Sequence, residues 1–311
     1  MLASSVVLRS PSVGCDTPSL PSGSSEAGDH LLNFHDDRDI LQAEGGPSGW
    51  RWPGQGWEDR AESWLRWARS PNFDAYWLYR DAFFDEVVPA PGAATLEVGC
   101  GEGRVARDLA DRGHLVTAVD ASPSLVAAAA AADPRSEYLV APAERLPFAD
   151  GVFDLVVAYN SLMDVEDMSQ AVAEAGRVMS PGGRLAVCVT HPVSDAGEFT
   201  DDGEGAPFLI TGSYLGARPF LYHAERDGIA MDFDGWAFDM ECYSRALEAV
   251  GLAFELIREP PPAGDRSPRR RRIPNFLIQL SPARKPGPSG RVGAQPTPSR
   301  RPAGASGSSG G

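Results

Sequence analysis

The stretch that decides the fold is Thr95-Leu96-Glu97-Val98-Gly99-Cys100-Gly101-Glu102-Gly103-Arg104. A short apolar strand carrying an acidic residue runs into three glycines at alternate positions, and an amphipathic helical pattern follows. Glycine has no Cβ, so the backbone can turn sharply and a ligand can lie directly against it. The stretch therefore predicts a strand, a ligand-binding turn and a helix in direct succession.

A second acidic residue ends the next strand of the pattern. The apolar run 115–119 stops at Asp120. The carboxyl ends of neighbouring parallel strands lie at one edge of a sheet, and a carboxylate at that edge suits the two hydroxyls of a ribose. The glycine turn and Asp120 together predict a pocket for a nucleoside cofactor.

The spacing Glu-x-Gly-x-Gly-x-Gly from Glu97 to Gly103, followed by the acidic strand end Asp120, resembles class I S-adenosylmethionine-dependent methyltransferases. The resemblance covers roughly residues 90–280. The nearest alternative is an NAD(P)-dependent oxidoreductase, whose third glycine would stand where this chain has Arg104. That alternative and a non-catalytic protein that binds S-adenosylmethionine both stay open on the sequence.

Strands and helices alternate through the middle of the chain, which predicts a parallel sheet covered on both faces. The predicted strands lie near 95–99, 115–120, 137–141, 153–159, 184–190, 254–258 and 275–280. In the resembling family the last hairpin makes one pair antiparallel. The expected fold is therefore α/β, a Rossmann-like doubly wound seven-stranded sheet, mostly parallel with one antiparallel strand.

Two segments stand outside this alternation. Residues 57–88 carry nine aromatic side chains on two helical patterns, and we expect an N-terminal helical cap. Residues 191–238 follow strand five and contain Asp227-Gly228, a dipeptide that favours a tight hairpin turn. The resemblance implies that such additions cover the cofactor and shape the substrate cavity, so 191–238 is expected to be an inserted lid.

The two ends of the chain differ in composition from its middle. Residues 1–49 are rich in Ser, Pro, Gly and Asp, and residues 282–311 are rich in Pro, Gly, Ser and Arg. Neither end shows an apolar period that would build a core, so we predict a disordered N-terminal tail and a disordered basic C-terminal tail. Residues 50–281 are then the methyltransferase domain.

Charge and composition narrow the partners. The formal net charge is −15, and an acidic body repels phosphates, so no nucleic-acid substrate is expected. The four cysteines are widely separated and predict no metal site. No apolar stretch approaches the length of a membrane span and no signal peptide is evident, so we expect a cytoplasmic protein without a membrane partner. The sequence does not indicate the oligomeric state.

The resemblance implies a site for the cofactor S-adenosyl-L-methionine. Its residues would be Glu97, Gly99 and Gly101 at the methionine end, Gly103 in the same turn, Asp120 on the ribose, Ala121, Ala143 and Glu144 around adenine, and Asn160 near the cofactor amino group. Pro142 stands where the family often has an Asp that accepts from the adenine amine. Proline has no such acceptor, so adenine recognition is expected to rest on Ala143 and Glu144.

The methyl acceptor is expected to be a small molecule, with oxygen favoured over nitrogen or carbon. After strand four the chain reads Ala158-Tyr159-Asn160-Ser161, not the Asn-Pro-Pro-Tyr of amino-methylating DNA and protein enzymes. His191, at the end of strand five, and His223, in the inserted hairpin, are candidate catalytic bases, because histidine titrates in the working pH range. A purely structural role for each histidine is the alternative.

Overall fold

A seven-stranded sheet forms the centre of the computed structural model, which describes residues 56–264 and 268–282. In chain order the strands are β1 (Thr95–Val98), β2 (Val116–Asp120), β3 (Glu137–Val140), β4 (Phe153–Tyr159), β5 (Met179–Thr190), β6 (Gly197–Phe199), β7 (Phe208–Ile210), β8 (Arg218–Arg226), β9 (Ile229–Ala237), β10 (Leu256–Arg258) and β11 (Phe276–Pro282). The predicted tails 1–49 and 282–311 lie outside the described residues, except for Pro282, which ends β11.

The strand order in the main sheet is β10-β11-β5-β4-β1-β2-β3. Strand β11 runs antiparallel to both of its neighbours, β5 and β10, and the other pairs are parallel. This confirms the predicted Rossmann-like sheet with one antiparallel strand. The order reverses between β1 and β4, and in such sheets ligands bind outside the carboxyl ends of the strands at that point.

Helices cover both faces of the sheet. They are α1 (Trp57–Arg69), α2 (Tyr76–Glu86), α3 (Arg104–Asp111), α4 (Pro123–Ala132), α5 (Met168–Val178) and α6 (Met240–Ala249). Helices α2 and α3 bury Phe83 and Leu109 against one face, and α5 and α6 bury Val172 and Leu247 against the other. Burial on both faces explains why the central strands read as continuous apolar runs. No helix within residues 56–264 and 268–282 is long and apolar enough to cross a bilayer.

The start of α4 follows the sequence closely. Ser122 is its N-cap, and the Ser122 hydroxyl accepts a hydrogen bond from the Leu125 N–H at 3.2 Å. Pro123 occupies the first helical position, where a missing N–H costs nothing. The N-cap serine and the proline fix the position at which α4 begins after Asp120.

Strand β5 begins earlier than the sequence indicated. Residues 180–183, whose proline and glycines favour a turn before the predicted strand 184–190, are part of the strand, which runs without a break from Met179 to Thr190. Gly182 adopts a left-handed φ of 84°, and the pairing of β4 with β5 shifts register here. Extra residues in one strand of a ladder produce this kind of bulge, so glycine and proline mark an irregular strand and not its boundary.

The insertion after β5 contains the predicted hairpin. Strands β8 and β9 pair antiparallel across Asp227 and Gly228, which have φ values of 50° and 75°. Both strands are longer than predicted. A second pair, β6 with β7, was not predicted, because three-residue strands are too short to show a period.

Helix α1 and the β8–β9 hairpin, which together form what we call the cap, share a hydrophobic core of their own. Its buried members are Trp67, Tyr222, Ala224 and Met231. An ion pair between Arg60 of α1 and Asp234 of β9 adds to this contact. The predicted helical cap 57–88 is therefore divided, because α2 packs on the sheet while α1 packs on the hairpin.

Candidate functional site

The glycine turn lies at the carboxyl edge of the sheet, between β1 and α3. Gly99 and Gly101 have left-handed φ values of 73° and 54°. A Cβ on Gly99 would stand 2.4 Å from the Ser161 Cβ, and one on Gly101 would stand 3.0 Å from Nε1 of Trp64. Both the backbone conformation and the lack of space require glycine here.

Gly103 belongs to the same turn but faces another way. A Cβ on it would stand 2.9 Å from the Ala129 Cβ of α4 and 3.1 Å from the Tyr138 hydroxyl of β3. Gly103 does not line the cavity onto which the rest of the turn opens. Its role is close packing between the start of α3 and these neighbours, and its predicted contact with a cofactor is not supported by its position.

Asp120 lies beside the turn at the end of β2. Its Oδ2 accepts the Gly101 N–H at 2.8 Å, and its Oδ1 accepts the Ser122 N–H at 2.9 Å. Burial raises the pKa of the Asp120 carboxyl, and the two backbone donors act in the opposite direction. Each carboxylate oxygen has a further lone pair, so Asp120 can accept hydrogen bonds from a pair of hydroxyl groups in the cavity.

Glu97 lies in β1 immediately before the turn and is 2% exposed. Its Oε2 is buried and has no hydrogen-bond partner among the described residues. Burial raises the pKa of Glu97 well above its usual value, and the negative charges of Asp120 and Glu102 add to this. A buried carboxylate of this kind is suited to a ligand that brings a cation.

On the far side of Asp120, Ala121, Ala143 and Glu144 line the same cavity. The Glu144 Oε1 accepts the N–H groups of Glu166 and Asp167 at 2.9 and 3.2 Å. The Glu144 Oε1 therefore fixes the start of α5, and Oε2 of the same carboxylate is left for a ligand. Glu144 combines a structural role with a position on the cavity wall.

Asn160 follows β4 at the point where the strand order reverses. It is a non-glycine residue with a φ of 50°, and its N–H donates to the Cys188 carbonyl at 2.7 Å. Its Oδ1 is buried without a hydrogen-bond partner in the described part of the chain. Left-handed backbone and an unsatisfied amide are both costly, and such features concentrate at functional sites.

These residues open onto a cavity of about 690 Å³, within the range of about 300–1,000 Å³ typical of ligand sites. Eight of the nine predicted cofactor residues line it, all except Gly103. The opposite wall is aromatic and comes mainly from the cap. Its rings are Trp57, Trp64, Trp67, Phe73, Tyr76, Phe220, Tyr222 and Phe233.

The two histidines predicted as bases lie outside this cavity. The His191 Nδ1 accepts the Val193 N–H at 3.1 Å, so its Nε2 carries the proton and donates to Glu259 at 2.7 Å. His223 is exposed on the hairpin, and its Nδ1 pairs with Asp232 at 2.6 Å. Neither ring faces the cavity. The geometry favours the structural alternative for both, because alternation along the strands turns each side chain away.

Replacing His191 with alanine tests this correction. We expect the affinity for S-adenosylhomocysteine to change less than twofold, while the free energy of unfolding falls by about 1–3 kcal/mol because buried hydrogen bonds are lost. Urea unfolding and titration calorimetry measure the two quantities. His223→Ala is the matched control and should alter neither, since His223 is exposed. A tenfold loss of cofactor affinity in His191→Ala would contradict the structural role.

The α1 residues on the cavity wall were not singled out from the sequence. Trp64 stood out there only as one of many aromatic residues, and Arg104 only as the residue that breaks the dinucleotide pattern. In the structure the Arg104 guanidinium pairs with Asp74 at 2.6 Å and lies 5.0 Å from the centre of the Trp64 ring. The helical period of the α1 residues indicates a helix with a buried face, but it does not tell which face meets the glycine turn.

Comparison with known proteins agrees with this geometry. Residues 96–187 match the model of a methyltransferase domain. A demethylmenaquinone methyltransferase of Mycolicibacterium gilvum is 36% identical over 185 residues, covering 57% of this chain and 75% of that protein. One of Beutenbergia cavernae is 38% identical over 110 residues, covering 35% of this chain and 46% of that protein. The chain spans about half the length of several curated relatives that it matches.

Solved structures share the fold. An S-adenosylmethionine-dependent methyltransferase from Mesorhizobium loti aligns with a TM-score of 0.56 at 24% identity, covering 67% of this chain and 98% of that one. A second, from Listeria monocytogenes, aligns with a TM-score of 0.54 at 18% identity, covering 68% and 98%. These relatives are methyltransferases and give no support to the oxidoreductase alternative. The chain belongs to the class I S-adenosylmethionine-dependent methyltransferases, and its cofactor is S-adenosylmethionine.

Proposed function

We propose that this protein transfers the methyl group of S-adenosylmethionine to a small molecule with a hydroxylated aromatic ring. The observation that carries the proposal is the aromatic wall opposite the glycine turn, in the same cavity. Aromatic side chains bind planar rings by offset or edge contacts. The names of the curated relatives, demethylmenaquinone methyltransferases, support an aromatic acceptor of this kind.

The places of the proposed cofactor residues in the cavity support their roles. Glu97, with its unpartnered buried oxygen, suits the methionine ammonium. Asp120 suits the ribose hydroxyls, and Gly99 and Gly101 present bare backbone to the cavity, against which the cofactor would lie. Ala121, Ala143 and Glu144 lie where the adenine ring would be held. The orphaned carboxylate and the side-chain-free turn fit this cofactor.

When bound, S-adenosylmethionine supplies an activated methyl group and its leaving group. The protein then needs to hold the acceptor in line with that methyl and to keep water away. The cap does both in our proposal, because its rings enclose the cavity opposite Gly101. With His191 and His223 outside the cavity, we propose that alignment carries the reaction without either histidine as a base.

His191 and His223 lie outside the cavity, so neither can act as the base that would support the expected preference for an oxygen acceptor. A hydroxylated ring offers both a nucleophilic oxygen and an electron-rich ring carbon, and the names of the relatives favour carbon. The proposal therefore specifies the ring and leaves the accepting atom to the position of the label in the product. Nuclear magnetic resonance of a product carrying a ¹³C-methyl group distinguishes the two atoms.

The test uses cofactor with a labelled methyl group and two sets of acceptors. One set contains a short-chain demethylmenaquinol, catechol and simple phenols, and the other contains aliphatic alcohols and amines of similar size. We expect label in the aromatic set. Label only in the aliphatic set, or in neither set although S-adenosylhomocysteine binds, would contradict the proposal.

Removing one ring of the wall should weaken acceptor use selectively. In Phe220→Ala we expect kcat/KM for the aromatic acceptor to fall roughly tenfold, because an aromatic contact is worth about 0.5–1.5 kcal/mol beyond its buried area. The affinity for S-adenosylhomocysteine should change less than twofold. Phe208→Ala removes a ring from the same insertion but outside the cavity, and should leave both constants unchanged. Equal losses in the two variants would place the acceptor elsewhere.

A further inference from the structure

We propose that Trp64, a residue of α1 outside the 96–187 segment matched by the family model, binds S-adenosylmethionine by donating its indole N–H to the methionine carboxylate. The inference concerns the cofactor alone. It rests on the membership of the chain in the methyltransferase family and not on the class of methyl acceptor.

The position of Trp64 is the first observation. Its Nε1 lies 3.0 Å from the point where a Cβ on Gly101 would be, so the indole N–H lies directly over the glycine turn. Trp64 is half-buried and lines the cavity. Its N–H has no hydrogen-bond partner among the residues that the structure describes, and a tryptophan N–H in such a place usually has one.

The orientation of the ring is fixed by its neighbours. Trp57 and Phe233 meet it edge to face, with ring centres 5.7 and 6.2 Å away. On another side the Arg104 guanidinium carbon lies 5.0 Å from the ring centre, and Arg104 is itself held by Asp74. The N–H is therefore held towards the turn before any ligand arrives.

The helix that carries Trp64 is fastened to the cofactor side of the sheet at both of its ends. Near the start of α1, Glu58 accepts hydrogen bonds from Ser122 and from the backbone and hydroxyl of Ser124. At its end, Arg69 pairs with Glu102 at 3.2 Å. These contacts span the glycine turn, so the position of Trp64 relative to Gly101 is set by the fold.

The chemistry of the indole N–H indicates which group of the cofactor it can bind. The indole group donates and cannot accept, so it suits the carboxylate of the methionine end and not its ammonium. The backbone N–H groups of Gly101 and Gly103 are already taken, by Asp120 and by the Cys100 carbonyl. Glu97 is available for the ammonium of the methionine group. Trp64, on the cap wall of the cavity, then binds the carboxylate of the same group.

Two ligands separate this hydrogen bond from mere packing. S-adenosylhomocysteine carries the carboxylate, and 5′-methylthioadenosine has the same nucleoside but lacks the amino-acid group. Trp64→Phe keeps an aromatic ring and removes the N–H. Calorimetry should show S-adenosylhomocysteine binding about tenfold or more weaker, since a hydrogen bond to a charged group is worth about 1.5–3 kcal/mol. Binding of 5′-methylthioadenosine should change less than twofold.

Trp77→Phe is the matched control, because Trp77 has a half-buried indole that lies outside the cavity, and it should leave both affinities unchanged. Thermal unfolding of each variant without ligand shows whether the fold is retained. If Trp64→Phe weakens both ligands equally, Trp64 acts by packing and the proposal fails. It fails also if neither affinity changes. Neither ligand needs an acceptor, so the acceptor proposal stands or falls separately.

Discussion

In Gly101→Val we expect the affinity for S-adenosylhomocysteine to fall at least a hundredfold. The residue has a φ of 54°, a conformation that costs a β-branched side chain about 1–3 kcal/mol. Its Cβ would already stand 3.0 Å from the Trp64 Nε1, and the two further methyl groups of valine would fill the space between turn and cap. We propose that the cofactor lies against the turn at this point, so we expect binding to be lost together with backbone stability.

The two effects are separated by Gly182→Val. Gly182 has a φ of 84°, a Cβ there would meet no atom within 4 Å, and the residue lies away from the cavity. This control imposes a similar backbone strain and leaves the cofactor space open. We expect comparable losses in thermal stability for the two variants, with cofactor binding lost only in Gly101→Val. Retained binding in a folded Gly101→Val would place the cofactor elsewhere.

We expect Asp120→Ala to weaken cofactor binding at least tenfold, because it removes both acceptors that we propose for the ribose hydroxyls. A hydrogen bond to a charged group contributes about 1.5–3 kcal/mol, so the loss of one such bond already accounts for this factor. The carboxylate also accepts the N–H groups of Gly101 and Ser122, and their loss lowers the stability of the turn. Titration calorimetry with S-adenosylhomocysteine gives the affinity, and urea unfolding gives the stability.

A second buried aspartate provides the matched control for this variant. Asp133 is 2% exposed, and its Oδ1 accepts the Arg135 N–H at 3.0 Å at the end of α4, outside the cavity. Asp133→Ala should lower stability and leave cofactor affinity unchanged. If Asp120→Ala is destabilised but binds the cofactor normally, then Asp120 serves only to shape the turn.

Most of the cavity wall around the glycine turn could be predicted from the sequence, because it is built from local signals. The strand, glycine turn and helix between Thr95 and Asp111 are contiguous in the chain. Asp120 ends the next strand, and parallel pairing of β1 with β2 brings it beside Gly101.

The positions of the other site residues depend on which side of a helix or strand faces the cavity, and the sequence does not determine this. His191 ends the predicted strand, but its ring is turned towards Glu259. Gly103 repeats the spacing of its neighbours yet packs against Ala129. Trp64 meets Gly101 only because α1 packs on the β8–β9 hairpin, a contact between segments far apart in the chain. Such choices are made by tertiary packing, which local patterns do not record.

The separate hydrophobic core of α1 and the β8–β9 hairpin has a consequence for how this protein can change over generations. Substitutions at Trp67, Tyr222 or Met231 alter a cluster that is distinct from the two cores of the sheet. Selection can therefore change the cap wall of the cavity, where we propose that the acceptor binds, without changing either core of the sheet.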